Sequence, residues 1–254
     1  QINPNKLARW MVEAAAGQDH YMAPLARVVR NVIGGVPVLF TVNNPRDTIQ
    51  AQHAEGRFYE EEELEIIRGH VPKGAVFVDI GANIGNHSLF ALKFLDVARV
   101  IPFEPNPDAI ALLMSNLTLN GEAGRCDLRH LGQGLSDRAA EGLAMAVDQP
   151  RDNLGGGRMV EGGGLRVVRG DDVLADAAVD FIKIDVEGME VAVLRGLEAT
   201  VARCRPVLFV EVDEVNRKDF LDWVAAQSYE ISATYRRYKP NENFLITPAG
   251  GRGA

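Results

Sequence analysis

The chain has 254 residues, of which 46% are hydrophobic, 24% charged and 7% aromatic, a composition that argues against disordered, collagenous and miniprotein classes and is typical of soluble globular proteins. With 27 basic and 35 acidic side chains the formal net charge is −8, and since there is no basic run, nucleic acid is not expected as a partner. Cys126 and Cys204 lie outside any metal-ligand or redox spacing, which argues against a disulfide scaffold and favours a cytoplasmic setting. No apolar run approaches the roughly 20 residues that a membrane-spanning helix requires.

Residues 1–70 carry mixed signals, and we expect them to form an N-terminal extension that covers the pocket of the following domain. The predicted elements are a helix from about Pro4 to Ala16, a Gly34-Gly35 turn, a strand over Val36–Val42 and a helix from the Glu60–Glu63 run to Ile67. The glutamates suit the start of that helix because of its dipole, and we interpret the run as a solvated helix start.

Residues 71–254 alternate between strand and helix patterns and are predicted to form one α/β domain. The predicted strands are Ala75–Ile80, Arg99–Phe103, Asp127–Leu131, Val179–Ile184, Val207–Val212, Glu230–Ala233 and Phe244–Ile246. The predicted helices are Ser88–Leu95, Asp108–Asn120, Met189–Leu197 and Lys218–Ala226. This alternation predicts a Rossmann-like, mostly parallel sheet with helices on both faces. Between the two sets, Glu141–Gly170 contains two glycine runs and is predicted to be a loop or a hairpin tip.

The segment Val78–Gly85 lies where a buried strand turns into a helix. In open parallel sheets ligands bind at the carboxyl ends of strands, and glycines there let the backbone approach the ligand. A dinucleotide fingerprint would need glycine at 81, 83 and 86, but positions 83 and 86 are Asn83 and Asn86. We therefore expect Gly81, Asn83, Gly85 and Asn86 to contact a ligand without a pyrophosphate, with a purely structural turn as the alternative.

Two acids lie at the ends of successive predicted strands, Asp79 and, in Phe103-Glu104-Pro105, Glu104. A carboxylate at Asp79 would repel a pyrophosphate and attract an ammonium group, and one at Glu104 can accept both ribose hydroxyls of an adenosine. The pair matches a cationic nucleoside without phosphate, and S-adenosylmethionine has this chemistry. Pro105 accompanies Glu104 as a candidate cofactor contact.

Three motifs, Asp79–Gly85, Phe103–Asn106 and Phe181–Gly188, resemble in order and spacing the FkbM family of S-adenosylmethionine-dependent methyltransferases. The similarity extends over roughly residues 47–247 and includes Phe58-Tyr59-Glu60 and the strand that ends at Glu211. The resemblance implies a class I methyltransferase fold and methylation of a hydroxyl group on a sugar, glycan or polyketide-like product. It also makes Tyr59 and Glu211 candidate acceptor contacts.

A hydroxyl that accepts a methyl group must lose its proton, and a positioned carboxylate or imidazole can take it. The candidates are Asp185 and Glu187, at the exit of a predicted strand, and His87, which follows the glycine turn. Both acids are expected to face the methyl group of the cofactor, and Asp185 is also a candidate cofactor contact. Helix capping is the alternative role for the two acids, and packing or capping is the alternative for His87. Lys183, inside the same strand, is expected to pair with an acid or to extend its amine to the surface.

The remaining assignments depend on fold analogy or on neighbouring residues. Ser136 and Asp137 are placed beside the nucleoside base, and Asn153, next to the first glycine run, is a candidate acceptor contact in a closing lid, with a disordered loop as the alternative. Glu190 is expected to share a helix face with Glu187. Because no histidine joins the acids at ligand spacing, we expect an acidic rim and no metal.

Two other functions stay open from the sequence: a nicotinamide-dependent oxidoreductase, which Asn83 and Asn86 disfavour, and a cofactor-binding interaction protein without catalysis. Neither the acceptor nor the oligomeric state is indicated by any motif.

Overall fold

In the computed structural model the described residues are 26–147, 154, 157–237 and 239–251, so the predicted helix Pro4–Ala16 and Asn153 lie outside them. The first elements are an antiparallel hairpin of β1 (Arg27–Ile33) and β2 (Val36–Val42), followed by helices α1 (Thr48–Ala54) and α2 (Glu61–Arg68). The predicted Gly34-Gly35 turn joins the two strands, and both glycines have positive φ, as a tight two-residue hairpin turn requires.

The first α/β set follows its prediction closely. It contains β3 (Ala75–Ile80), α3 (Asn86–Phe94), β4 (Val97–Phe103), α4 (Pro107–Leu119) and β5 (Gln133–Ser136). The start of α4 is fixed by Asn106, whose side chain accepts a hydrogen bond from the backbone N–H of Asp108 at 3.0 Å, with proline at the first helical position.

The glycine-rich segment contains more regular structure than predicted. It forms β6 (Ala140–Val147), β7 (Gly157–Glu161) and β8 (Leu165–Arg169), which build a second sheet in the order β5-β8-β6-β7. The backbone N–H groups of Gly162 and Gly163 both donate to the carbonyl of Gly142, so this glycine run is accommodated where β6 changes partner from β7 to β8. Of the two predicted alternatives, the hairpin is therefore closer to the observed structure than the loop.

The second set supplies the remaining strands and helices. After the short helix α5 (Gly170–Val173) come β9 (Phe181–Ile184), α6 (Glu190–Arg195), α7 (Glu198–Cys204), β10 (Val207–Asp213), α8 (Arg217–Ala226), β11 (Tyr229–Tyr235) and β12 (Asn241–Pro248). The central six-stranded sheet has the order β11-β12-β10-β9-β3-β4. The strands β4, β3, β9 and β10 are parallel, and β12 runs antiparallel to β10. This is the predicted Rossmann-like arrangement, a mostly parallel sheet covered on both faces.

Both faces of the central sheet are buried, as expected for parallel strands between helices. Successive side chains of β3 enter different clusters: Phe77 stacks on Phe181 with ring centroids 5.0 Å apart, while Val78 and Ile80 pack with Ile182 on the other face. These short strands, rich in β-branched and aromatic residues, are therefore typical of a sheet with no solvent-exposed face at its centre.

One predicted strand is wrong. Asp127–Leu131 contains a 3₁₀ turn over Leu128–His130, and the strand that pairs in the sheet begins at Gln133 instead. The Asp127 side chain accepts from the backbone N–H of Arg129 and from its guanidinium, and such local side-chain bonding competes with strand pairing.

The hairpin β1–β2 is attached to the main domain through α4. Asn116 Oδ1 accepts from Thr41 N at 2.7 Å, and Asn120 exchanges two hydrogen bonds with the backbone of Leu39. The boundary at residues 70 and 71 stays a prediction. Within the described part of the chain, the helices are too short and too polar to cross a membrane.

Candidate active site

A cavity opens at the carboxyl ends of the parallel strands. It holds about 1130 Å³ of atom-free space, part of which is open to solvent. Eight of the residues predicted for the site line it: Tyr59, Gly81, Asn83, Glu104, Pro105, Asp185, Glu187 and Glu211. We call the part around Gly81, Asn83 and Glu104 the glycine-turn end, and the part around Glu60, Asp185, Glu187 and Glu211 the acid end.

The backbone of the glycine-turn end requires residues that are small or that tolerate the left-handed conformation. Gly81 has φ +75°, and a Cβ there would lie 1.8 Å from the carbonyl oxygen of Asp185. Asn83 also has positive φ, and its Oδ1 is buried without a hydrogen-bond partner among the described residues. The turn therefore packs directly on the segment after β9 and leaves one polar atom unsatisfied beside the cavity.

Glu104, at the end of β4, holds this turn in place. Its carboxylate accepts from the backbone N–H of Asn83 and of Asn106, each at 2.8 Å. Although these bonds favour the charged form, burial is the larger effect and raises the pKa of Glu104 to about 7. Each carboxylate oxygen keeps a further lone pair, so Glu104 can still accept hydroxyl groups from a ligand in the cavity.

A buried ion cluster lies beneath the cavity floor. Lys183 Nζ donates to the carbonyl oxygen of Gly81 at 3.0 Å and lies 3.3 Å from Asp185 Oδ2 and 3.6 Å from Asp79 Oδ1. Burial disfavours the ammonium, but Asp185 and Asp79 outweigh it and raise the pKa of Lys183 above its ordinary value. The expected pairing of Lys183 with an acid is confirmed in this geometry.

Asp79 belongs to this cluster and does not line the cavity. Its carboxylate is fully buried and accepts from the Ser88 hydroxyl at 2.6 Å. The structure thus gives Asp79 two protein partners, Ser88 and Lys183, and its contact with a ligand ammonium group stays a prediction.

The acid end brings together carboxyl groups from distant segments. A side-chain hydrogen bond joins Asp185 and Glu211, and burial together with the Asp185 charge raises the pKa of Glu211 to about 10. Burial acts against ionisation of Asp185 as well, but Lys183 and the bond from Glu211 hold the pKa of Asp185 below its usual range. The pair therefore shares one proton, carried by Glu211.

Glu60 is a site residue that the sequence analysis missed. It has φ +61°, and its side chain, 16% exposed, lines the cavity. Asn86 fixes the preceding residue, because its side-chain amide exchanges two hydrogen bonds, each 2.9 Å, with the backbone of Tyr59. Burial, then Asp185, raises the pKa of Glu60 to about 8. The glutamate run was interpreted as solvated, and for Glu60 and the fully buried Glu63 that interpretation is wrong.

His87 lies behind Glu60 and does not line the cavity. Its Nε2 is 3.7 Å from the Glu60 carboxylate, and burial, followed by the Lys183 charge, lowers the pKa of His87 to about 4. The imidazole is therefore neutral near neutral pH, and it faces the cavity only through Glu60.

Other predicted residues lie near the cavity without lining it: Gly85, Asn86, Ser136 and Asp137. At that position Gly134 and Leu135 line the wall. Ser136 is instead packed close to Gly196, where an added Cβ would lie 2.1 Å from its carbonyl oxygen.

Glu187 and Glu190 do not share a helix face, which corrects the prediction. Glu187 has φ +44° in the turn before α6, while Glu190 is buried and accepts from the backbone N–H of Asp213 at 2.7 Å. Because Glu187 lies outside the helix, its three-residue spacing from Glu190 does not place the two side chains on one helix face.

The sequence analysis also missed several other lining residues: Thr48, Ile49, Leu154, Val167, Met189 and Asn241. Leu154 is positioned by Asp47, which caps α1 and also accepts from the Leu154 N–H at 2.8 Å. No sequence signal foretold this link. Across the described ranges, no group of three or more His, Cys, Asp or Glu side chains is arranged to hold a metal ion.

Comparison with known proteins identifies the family. The family described as "Methyltransferase FkbM domain" matches residues 79–236, which is more than half of the chain. The chain belongs to the FkbM methyltransferase family. Its match begins at Asp79 and contains the glycine turn, Glu104, Asp185, Glu187 and Glu211. The chain is therefore a methyltransferase, as its motifs predicted.

This FkbM-family chain is similar to two named relatives and to one solved structure. It is 24% identical over 221 residues to the hexuronic acid methyltransferase AglP of Haloferax volcanii, covering 84% of this chain and 86% of that protein. It is 32% identical over 182 residues to the 31-O-demethyl-FK506 methyltransferase FkbM of Streptomyces tacrolimicus, covering 56% and 67% respectively. An uncharacterized protein from Listeria monocytogenes shares the fold, with a TM-score of 0.50 at 14% identity, over 78% of this chain and 71% of that one.

Proposed function

We propose that the chain transfers a methyl group from S-adenosylmethionine to a hydroxyl of a sugar, a glycan or a polyketide natural product. The observation that carries the proposal is the position of Glu104: a buried carboxylate at the end of β4 that lines the cavity and is tied to the glycine turn by Asn83. The two relatives are named for methyl transfer to a hexuronic acid and to 31-O-demethyl-FK506.

The glycine-turn end fits the nucleoside part of this cofactor. Glu104 can accept two ribose hydroxyls, and the unsatisfied Oδ1 of Asn83 can accept a further donor. The neighbouring wall is apolar, with Phe103, Leu135 and Val167, as a purine base requires. When bound, the cofactor supplies an electrophilic methyl group on sulfur.

The chain's own residues bring the acceptor oxygen into line, exclude water and remove the hydroxyl proton. Asp185 and Glu187 were the carboxylates predicted for this work. Asp185 is already engaged by Lys183 and Glu211, whereas Glu60 lines the cavity with a pKa near working pH, which suits a proton acceptor. We therefore propose Glu60 as a candidate proton acceptor in addition to Glu187 and Asp185. We propose that His87 supports Glu60 from the side facing away from the cavity.

We also propose that residues 1–70 act as an extension that covers the pocket. Four lining residues, Thr48, Ile49, Tyr59 and Glu60, come from this segment. A contribution from the N-terminal segment on this scale supports its expected role in completing the site.

The decisive experiment is ligand binding by thermal unfolding and calorimetry. We expect adenosylhomocysteine to raise the melting temperature, with about 2.7 kcal/mol of stabilisation at roughly 100 times its dissociation constant, and NAD and NADP to have no effect. Tight NAD binding with no adenosylhomocysteine binding would overturn the proposal and favour the oxidoreductase alternative.

A further inference from the structure

The acid end of the cavity has an unusual charge pattern for a site that accepts sugars. Glu60, Asp185, Glu187 and Glu211 all line it, and Glu104 lines the opposite end. Among the described residues that line the cavity there is no Lys, Arg or His. An acceptor that enters this space therefore meets several carboxyl groups and no cation.

The basic side chains closest to the acid end are already committed. Lys183 lies under the floor, where it is 4% exposed and bonded to Gly81 while it neutralises Asp185 and Asp79. Arg237 is held outside by Glu63, with N···O distances of 2.8 and 2.5 Å, and by Glu62. Neither can approach an anionic acceptor without leaving a buried carboxylate unpaired, which is strongly unfavourable.

The surroundings of the acid end already disfavour a negative charge on its carboxyl groups. The pKa of Glu60 rises to about 8 and that of Glu211 to about 10, because of burial and the nearby charge of Asp185. Another negative charge in the same space would meet the same unfavourable environment. By contrast, a protonated Glu211, the ionised Asp185 and the amide of Asn241 offer both donors and acceptors to hydroxyl groups.

We propose that the part of the acceptor that enters the acid end is an uncharged ring with several hydroxyl groups, and that sugars carrying a carboxylate there are rejected. The inference rests on the proposed function, since it concerns the acceptor of that same site. It separates this chain from its Haloferax relative, which is named for a hexuronic acid.

Matched sugars test the proposal directly. The probes are the methyl glycosides of glucose, galactose and mannose, each compared with its uronic acid and with the corresponding uronamide, using S-adenosylmethionine labelled in the methyl group. We expect transfer to at least one neutral glycoside, with kcat/KM at least about tenfold above that of its uronic acid, and the uronamide to behave like the neutral sugar. Equal or better use of a uronic acid would overturn the proposal.

The failure of the proposed function gives a different result. If no neutral probe is methylated while adenosylhomocysteine still binds, the acceptor class is wrong and the cofactor assignment stands. If adenosylhomocysteine does not bind, the proposed function itself is wrong.

Charge-neutralising variants test whether the carboxyl groups cause the selection. Glu187→Gln should reduce the preference for the neutral sugar over its uronic acid several-fold, and Asp185→Asn serves the same purpose if Glu187→Gln does not fold. Glu211 already carries a proton, so Glu211→Gln removes no charge and should change the preference less. The matched control is Glu230→Gln, which removes an exposed acid on β11 and should leave the preference unchanged. An unaltered preference in folded Glu187→Gln and Asp185→Asn would overturn selection by charge.

Discussion

The two ends of the cavity are built in different ways from the same chain. The glycine-turn end joins residues at the ends of adjacent strands, β3 and β4. The backbone N–H groups of Gly81 and Ala82 donate to the carbonyl of Phe103, and that of Asn83 donates to the Glu104 carboxylate. The acid end joins Glu60, Asp185 and Glu211 from three distant segments that only the complete fold brings together. The first end is determined mainly by local motifs, and the second by tertiary packing.

The electrostatics differ in the same way. At the glycine-turn end a carboxylate is held by two backbone N–H donors, which keeps it available to accept hydroxyls. At the acid end the carboxyl groups have one another as neighbours. Burial and the Asp185 charge raise the pKa of Glu211 to about 10, while Lys183 and the bond from Glu211 hold the pKa of Asp185 below its usual range. One end is thus arranged for recognition, and the other for holding and moving a proton.

Glu60→Gln gives the strongest test of this division. We expect turnover with the best neutral glycoside to fall by about 10²- to 10⁴-fold, because a proton acceptor is lost, while adenosylhomocysteine affinity stays within about twofold. Calorimetry and methyl-transfer kinetics on the same preparation measure both. The control is Glu61→Gln, the exposed next residue, which should retain full turnover. Weakened cofactor binding with normal turnover would show that Glu60 contributes to cofactor binding and is not the proton acceptor.

Asp79→Ala examines the floor that both ends share. Removing one partner of a buried charge leaves Lys183 with Asp185 alone, and we expect unfolding free energy to drop by about 3–5 kcal/mol in denaturant titrations. The control Asp219→Ala breaks an exposed pair with Arg195 and should cost at most about 1 kcal/mol. Normal stability combined with lost adenosylhomocysteine affinity would return Asp79 to the ligand-binding role that the sequence predicted.

This contrast also explains what the sequence could predict. The strand and helix pattern of residues 71–254 and the glycine turn depend on local periodicity and backbone restraints. The strands β6, β7 and β8 of the glycine-rich segment were not predicted, and the predicted elements correspond to observed ones apart from Asp127–Leu131. There, an Asp side chain bonded to its own turn outweighed the apolar pattern. Local rules fail where a polar side chain offers the backbone a different partner.

The acid end was less accessible to such reasoning. Nothing in the glutamate run distinguishes the partly buried Glu60 and the fully buried Glu63 from Glu61 and Glu62, which are exposed. Their burial results from the contact of this segment with α3 and with Arg237, both distant in sequence. Similarly, the spacing of Glu187 assumed a helix, whereas the backbone is left-handed at that residue. The local sequence pattern does not indicate burial that results from tertiary contacts.

Glu104→Ala tests the glycine-turn end with a smaller expected effect. Loss of an ionised acceptor for two hydroxyls should weaken adenosylhomocysteine binding by roughly 1.5–3 kcal/mol, about 10- to 150-fold, as measured by calorimetry. Because Glu104 also holds the turn through Asn83, the thermal unfolding of the unliganded variant must be recorded as well. Glu198→Ala, an exposed acid on α7, is the matched control. Unchanged affinity in a folded Glu104→Ala would refute the ribose assignment.

The pH dependence of cofactor binding should show the smallest effect, and we assign it to Glu104. Burial raises the pKa of Glu104 to about 7, so the free protein carries the neutral acid at pH 6 and the carboxylate at pH 8. Since only the carboxylate can accept a hydrogen bond from both hydroxyls without donating one itself, ligand affinity should rise with pH, by up to about tenfold between pH 6 and pH 8. Glu104→Gln cannot ionise and should bind more weakly with a flat profile over the same range. Calorimetry in buffers of equal ionic strength would separate the two proteins. Affinity that falls with rising pH in the unmodified chain, or an identical slope in Glu104→Gln, would place the titrating group elsewhere in the cavity, at the acid end.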